Sequence, residues 1–210
     1  AGWSSGLIGT INTLIDSEVL PSRHTTPEAA DLQAIMATMS ERHIRSVAME
    51  VSSHALTQSR VDSLPFDVAV FTNLTRDHLD YHQTMENYFL AKQKLFNQLL
   101  GASSKKSKFA VVNYDDDYGR KMELSGNSKL WSFGQSRADF QFQIQEQDFG
   151  GSIFTLETPR TGSQNRHSPH RKAGAPSSVF PSTHRQGSWW ATGYPVCHAP
   201  PLSYQRITDR

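Results

Sequence analysis

Lys92 holds the position in this chain that most strongly suggests chemistry, because it lies on the apolar side of a predicted helix. Met85, Phe89 and Phe96 have the three- to four-residue spacing of a helix with one buried face. Lys92 falls on the same stripe, four residues before Phe96. Desolvation favours the neutral, nucleophilic form of a lysine amine. Two interpretations stay open: a lysine that extends to the edge of a cleft, which spacing alone favours, and one that takes part in a reaction.

Two polar clusters follow two predicted buried strands. The strand over 44–51 runs into the cluster 52–54, and the strand over 66–71 runs into the polar segment 72–82. Strands rich in Val, Ile and Phe that alternate with helices indicate a parallel sheet. Ligands of open α/β sheets bind at the carboxyl ends of the strands. We therefore expect a site where the two clusters meet, although Ser52 alone is also a good helix cap.

Several longer motifs resemble the Mur ligase family, in the family's order and spacing, over about residues 6–158. The motifs are Leu7-Ile8-Gly9-Thr10-Ile11, Thr25-Thr26-Pro27, Met49-Glu50-Val51-Ser52-Ser53-His54-Ala55-Leu56, Gln58, Arg60, Phe71-Thr72-Asn73-Leu74-Thr75-Arg76-Asp77-His78-Leu79-Asp80-Tyr81-His82, Ala91-Lys92 and Leu95-Phe96. These motifs are most similar to those of the members that add the third amino acid to UDP-N-acetylmuramoyl-L-alanyl-D-glutamate in peptidoglycan synthesis. The resemblance implies an ATP-dependent amide ligase. ATP would phosphorylate a substrate carboxylate, and the amine of meso-diaminopimelate or lysine would attack the acyl phosphate.

The resemblance assigns catalytic and metal-binding roles to three residues. Glu50 would supply a carboxylate and His78 an imidazole to Mg²⁺, a hard cation that neutralises and bridges the anionic reactants. Lys92 would be carbamylated by carbon dioxide, which requires a neutral amine and creates a carboxylate able to hold Mg²⁺. The buried position predicted from spacing agrees with that role. For His54, metal ligation, support of a ligand and a place at a helix start remain open.

The resemblance also implies contacts with the substrates. The residues matched to positions that hold the UDP-muramoyl peptide are Thr25, Thr26, Ser52, Gln58 and Arg60. Pro27 suits the first turn of a helix, whose start suits anionic groups. Asn113, before an acidic turn, resembles a residue that contacts the nucleotide. The alternatives are capping by Thr26, a solvated Arg60 and a plain turn after Asn113. Gln83 stands where the family commonly has glycine, so we expect a different local turn.

The 210 residues contain no G-x-x-x-x-G-K-[ST] sequence, the loop that holds triphosphates. In the family this loop precedes the point that matches Ala1, and further domains lie on both sides. We therefore interpret the chain as part of a central ATP-binding domain and expect no ligase activity from it alone. The alternatives are a ligase that adds glutamate to folate and a non-catalytic remnant with a binding surface.

Composition changes after Thr158. Residues 159–210 hold seven of the ten prolines and seven Lys or Arg, with Asp209 as their one acid, and show neither helical nor strand periodicity. We predict an α/β fold over 1–158, with a mostly parallel sheet flanked by helices and a small antiparallel addition near 130–158. We interpret 159–210 as a disordered or out-of-frame tail. Its basic, aromatic and histidine residues lack the spacing of a nucleic-acid or metal motif.

Net charge, cysteine count and hydropathy limit the classes of binding partner. The net charge of +1 argues against a nucleic-acid-binding body, and the single Cys197 suits a reducing cytosol. The chain has no run of 18 apolar residues and no evident signal peptide. The resemblance implies ATP, Mg²⁺, a UDP-muramoyl dipeptide and an amino acid as ligands. Together with it, these bulk properties lead us to expect a cytoplasmic monomer that binds neither nucleic acid nor membrane.

Overall fold

A computed structural model describes residues 4–148, 151–159 and 173–174, whose strands form two sheets. The first sheet has the order β3-β2-β1-β4 and the second β10-β9-β8-β7-β6-β5. The strands are β1 (Ser5–Ile8), β2 (Asn12–Ile15), β3 (Glu18–Pro21), β4 (Ser46–Met49), β5 (Val68–Phe71), β6 (Phe109–Asn113), β7 (Lys129–Gly134), β8 (Phe140–Asp148), β9 (Gly151–Glu157) and β10 (Ala173–Gly174). The helices are α1 (Ala29–Glu41), α2 (Ser53–Thr57), α3 (Leu79–His82), α4 (Met85–Lys94), the π-helix Leu95–Leu100 and α5 (Asp117–Arg120).

The mostly parallel sheet is confirmed. β5, β6, β7 and β8 pair in parallel, and β1 pairs in parallel with β4. The antiparallel addition is confirmed for β8 with β9, whereas β7, which lies in the same predicted region, pairs in parallel with β6.

The antiparallel strands β1, β2 and β3 were not anticipated. Asp16 and Ser17 form the two-residue turn between β2 and β3, and Asp16 has a φ of 58°. Two-residue hairpin turns need such a left-handed residue, and an aspartate tolerates it better than most side chains do.

One continuous hydrophobic core joins the two sheets. Its fully buried members include Ile8, Leu32, Leu56, Phe66 and Leu100. None of the helices among the described residues is both long enough and apolar enough to cross a membrane.

The predicted apolar face of the helix is confirmed in part, and a π-helix follows at its end. Lys92 and Phe96 are buried, whereas Phe89 and Leu99 are only partly buried. Leu100, which ends the π-helix, is fully buried.

Two residues of the predicted tail are described, and the interpretation of 159–210 as disordered or out of frame stays a prediction. Ala173 and Gly174 form β10, which pairs antiparallel with the start of β9. The remainder of the predicted tail beyond residue 159 lies outside the described residues.

Gln83 adopts a strained turn between α3 and α4. Its φ of 67° and ψ of −41°, with a 2.8 Å hydrogen bond from Thr84 N to the His82 carbonyl, define a γ-turn of the positive-φ type. Residues with a Cβ are disfavoured in such a turn. This gives a physical reason for the glycine that is common at this position in the family that the motifs resemble.

We predict that Gln83→Gly raises the free energy of unfolding by about 1 kcal/mol, since it removes strain of this kind. Gln83→Ala is the matched control, because it shortens the side chain but keeps a Cβ. Urea unfolding of the two variants and the parent measures the difference. Equal stabilisation by alanine would contradict the explanation.

Candidate functional site

Glu50 lies directly after β4, and Thr10, in the connection between β1 and β2, holds its side chain. Glu50 is 8% exposed, and its carboxylate accepts hydrogen bonds from the Thr10 hydroxyl and, at 2.9 Å, from Thr10 N. Thr10 follows β1, which pairs with β4, so the parallel pairing sets the two residues side by side. The carboxylate thus has a fixed orientation and neutral hydrogen-bond donors.

Thr25 and Thr26 contact the residues around Glu50 and do not cap α1. Thr26 Oγ1 donates to the Glu50 carbonyl and accepts from Ser52 N, both at 2.9 Å. Thr25 Oγ1 lies 3.1 Å from Thr10 Oγ1. Capping by Thr26 is wrong, because α1 starts at Ala29 with Glu28 as its N-cap. Pro27 accordingly lies two residues before the helix and not in its first turn.

Ser52 is the N-cap of α2, so its capping alternative is correct: Oγ accepts from Ala55 N at 3.1 Å. Gln58 is the C-cap of the same helix and accepts from Arg60 Nε at 2.8 Å. Arg60 also donates to the Thr26 carbonyl at 3.1 Å and pairs with Glu28 at 2.8 Å. With its side chain 15% exposed, Arg60 is not the solvated charge that its sequence context alone suggested.

Five rings form a contiguous cluster beside the carboxyl ends of β4 and β5, which we call the ring cluster: His54, His78, Tyr81, His82 and Tyr88. His54 and His78 meet edge to face with centroids 5.0 Å apart. His82 stacks on Tyr88 at 5.0 Å and 16°, and its Nε2 lies 2.9 Å from Ser53 Oγ.

Lys92 meets the ring cluster through Tyr88. Its Nζ lies over the Tyr88 ring, 5.0 Å from the centroid, and the residue is 6% exposed, which confirms the inward position. Lys92 also lines a small cavity of about 20 Å³ with residues that follow β4 and β5, among them Val51, Thr72 and Asn73. The predicted meeting of the two polar clusters is therefore correct.

His78 immediately precedes α3 in a left-handed conformation, with φ of 54°. The Asp77 carboxylate accepts from His78 N at 2.7 Å and lies 3.6 Å from His78 Nδ1. The side chain is one-third exposed, so it faces both the ring cluster and solvent.

Asn113 ends β6 and links it to β5. Its Nδ2 donates to the Thr72 carbonyl at 2.8 Å, and its Oδ1 accepts from Asp115 N at 2.9 Å. Asp116, in the acidic turn that follows, caps α5 and accepts from Leu74 N. A groove of about 610 Å³ adjoins this turn, and its lining residues are Tyr114, Asp115, Arg120, Ser136 and Arg137.

The contacts sort the candidate residues into two joined groups. Glu50 contacts Thr10 and Thr26, whereas His78 is a member of the ring cluster and Lys92 contacts that cluster through Tyr88. The start of α2 connects the two groups, because Ser52 N donates to Thr26 and Ser53 Oγ lies 2.9 Å from His82 Nε2. Within the described part of the chain, no three His, Cys, Asp or Glu side chains are arranged to hold a metal ion. Among these candidate side chains, the Glu50 carboxylate offers the oxygen ligands that Mg²⁺ prefers.

Sequence reasoning gave no role to Thr10, Ser53, His82 and Tyr88, which organise the site. Tyr88 carried a usable signal, since it lies four residues before Lys92 on one helix and side chains at that spacing are neighbours. Thr10, Ser53 and His82 find their partners 29 to 40 residues away, which local spacing does not reveal.

A model of the Mur ligase middle domain matches residues 2–169 of the chain. Curated relatives named UDP-N-acetylmuramoyl-L-alanyl-D-glutamate–2,6-diaminopimelate ligase include one from Streptomyces avermitilis, 44% identical over 169 residues, covering 79% of this chain and 32% of the relative. A Geobacter metallireducens relative of the same name is 47% identical over 137 residues, or 65% of this chain and 27% of the relative.

A solved structure titled with the same ligase name superimposes with a TM-score of 0.64 at 29% identity. It covers 74% of this chain and 32% of the solved chain. The chain thus spans about a third of the length of the relatives it matches.

We predict that His82 makes stability depend on pH. Burial, and then the charges of His54, His78 and Lys92, lower the pKa of His82 below its ordinary value, against an opposite effect of Asp80. The unfolded chain therefore binds the proton first as pH falls. The free energy of unfolding should be largest above about pH 6.5 and fall below it.

Urea unfolding between about pH 8 and about pH 5 measures this dependence, which should be shallower in His82→Gln. His24→Gln, at an exposed histidine, is the control. The same slope in the parent and in His82→Gln would contradict the assignment.

Proposed function

Because this chain belongs to the Mur ligase family through its middle domain, we propose that it is part of an ATP-dependent ligase that joins an amino acid to UDP-N-acetylmuramoyl-L-alanyl-D-glutamate. The names of the relatives suggest 2,6-diaminopimelate as that amino acid rather than lysine or the glutamate of a folate ligase. Ligation would take place in the bacterial cytoplasm, where ATP is available.

The observation that carries this proposal is the burial of Lys92 against Tyr88 at the ends of β4 and β5. A buried cation is costly unless it is compensated or modified. In our proposal the Lys92 ammonium first loses one proton to solvent, and the neutral amine then attacks the carbon of carbon dioxide. A C–N bond forms while one C=O π bond opens, and the second proton goes to solvent. The product is a carbamate, so the charge of the side chain changes from positive to negative.

Glu50, His78 and the Lys92 carbamate would together hold Mg²⁺, which would offset the negative charge of the phosphates and the substrate carboxylate. Thr10 would keep the Glu50 carboxylate in one orientation, since both Thr10 donors bind the same carboxylate oxygen. The ring cluster would hold His78 through edge contacts with His54 and Tyr88.

Thr25, Thr26, Ser52, Gln58 and Arg60 would contact the UDP-muramoyl peptide. Their mutual hydrogen bonds support this, because they form one preorganised polar surface next to Glu50. Of the five guanidinium N–H donors of Arg60, one on Nη1 remains for an anionic substrate beyond the contacts with Gln58, Thr26 and Glu28.

Asn113 would contact ATP. The groove beside it supports this role, since it combines the Asp115 carboxylate with the guanidinium groups of Arg120 and Arg137. The Asn113 amide still has an N–H and a lone pair for a nucleotide base.

A hybrid ligase tests the proposed function. Residues 2–169 of this chain replace the matching part of the Streptomyces avermitilis relative, and ATP-dependent amide formation with diaminopimelate is measured. We expect turnover in the hybrid, and a loss of roughly 100-fold or more in kcat for Glu50→Gln or Lys92→Arg, as for other preorganised electrostatic groups. Lys106→Arg, at an exposed lysine, is the matched control.

The 210-residue chain alone is the baseline, and we expect no amide formation from it, because it contains no phosphate-binding loop sequence. A folded hybrid that binds ATP but gives no product would contradict the proposal. Turnover that survives Lys92→Arg undiminished would contradict the role of that lysine.

Carbamylation is tested separately on the 210-residue chain. With ¹³C-labelled carbon dioxide, NMR should show one carbamate carbon that disappears in Lys92→Arg and persists in Lys106→Arg. A carbamate signal of the same intensity in Lys92→Arg would contradict the assignment.

A further inference from the structure

The ring of Tyr88 contacts three groups of the site at once. Its centroid lies 5.0 Å from Lys92 Nζ, 5.0 Å from the stacked His82 ring and 5.7 Å from the His78 ring, which it meets at 85°. Tyr88 is itself 2% exposed. It therefore links two residues that the proposed function uses, His78 and Lys92, through one buried surface.

The Tyr88 ring is fixed in place. His82 stacks on it, and Ser53 Oγ, at 2.9 Å, holds the His82 imidazole from the start of α2. Tyr88 and Lys92 lie one turn apart on α4, so the backbone keeps the ring and the amine together. Three elements, α2, α3 and α4, thus define where the face of the ring points.

The ring distinguishes the two charge states of Lys92. The face of an aromatic ring carries negative charge density and attracts an ammonium group. Carbamylation converts the –NH₃⁺ group and CO₂ into –NH–COO⁻ and two protons, which removes the attraction and replaces it with repulsion. Contact with Tyr88 is therefore favourable before the modification and unfavourable after it.

On the basis of the proposed function, we propose that Tyr88 is a positioning residue that holds unmodified Lys92 on its ring face and releases it upon carbamylation. The contact opposes carbamylation when no Mg²⁺ is bound, so that the fraction of modified lysine rises when the cation compensates its new charge. Tyr88 thereby couples the modification of Lys92 to metal binding.

Substitution of Tyr88 tests the coupling, with the carbamate occupancy of the 210-residue chain measured by ¹³C NMR at fixed carbon dioxide without Mg²⁺. Tyr88→Leu removes the ring but keeps an apolar contact, and it should raise the ratio of carbamate to free amine roughly three- to thirtyfold, as the loss of a buried cation–π contact implies. Tyr88→Phe keeps the ring face and should behave as the parent does. Tyr118→Leu removes a different ring that lies under a lysine, with Lys121 Nζ 5.4 Å from its centroid, and should leave the ratio unchanged.

A second measurement uses the parent chain and needs no variant to fold. The Cε protons of Lys92 should carry an upfield ring-current shift without carbon dioxide and lose it when carbon dioxide and Mg²⁺ are added. An unchanged ratio in a folded Tyr88→Leu, or a ring-current shift that persists in the carbamate, would overturn the role of Tyr88 alone. Absence of label at Lys92 under every condition would overturn this role together with the proposed modification.

Discussion

The cost of burying polar groups is the constraint on which the rest of this structure depends. Glu50, Thr26, Ser53, His82 and Lys92 are all buried, close to one continuous hydrophobic core. Each such group loses hydration and requires a compensating partner. The threonine pair, the start of α2 and the ring cluster meet this requirement, and in doing so they fix the geometry of the site.

The same contacts explain why capping and binding are not exclusive roles here. Ser52 caps α2 and also ties its backbone N–H to Thr26, which in turn holds the Glu50 carbonyl. Arg60 secures the Thr26 carbonyl and pairs with Glu28. A polar surface supported in this way loses little conformational freedom when a ligand binds, which favours binding.

Irregular backbone lies on both sides of the helices that carry the ring cluster and Lys92. His78 and Gln83 have positive φ on either side of α3, and a π-helix follows directly after α4. Strained residues and π-turns persist where the surrounding packing determines them, and both are enriched at functional sites. Here they flank the helices that carry the ring cluster and Lys92.

The sequence by itself determined the α/β class, the parallel strands, the inward position of Lys92 and the meeting of two polar clusters at strand ends. These follow from side-chain periodicity and from the geometry of parallel sheets, which are local or general properties. Only the tertiary structure decided that Thr10 holds Glu50, that Ser53 holds His82, that Thr26 braces a carbonyl rather than caps a helix, and that Tyr88 lies between His78 and Lys92. Most of those contacts join residues distant along the chain, so they depend on how sheets and helices pack and not on any local spacing.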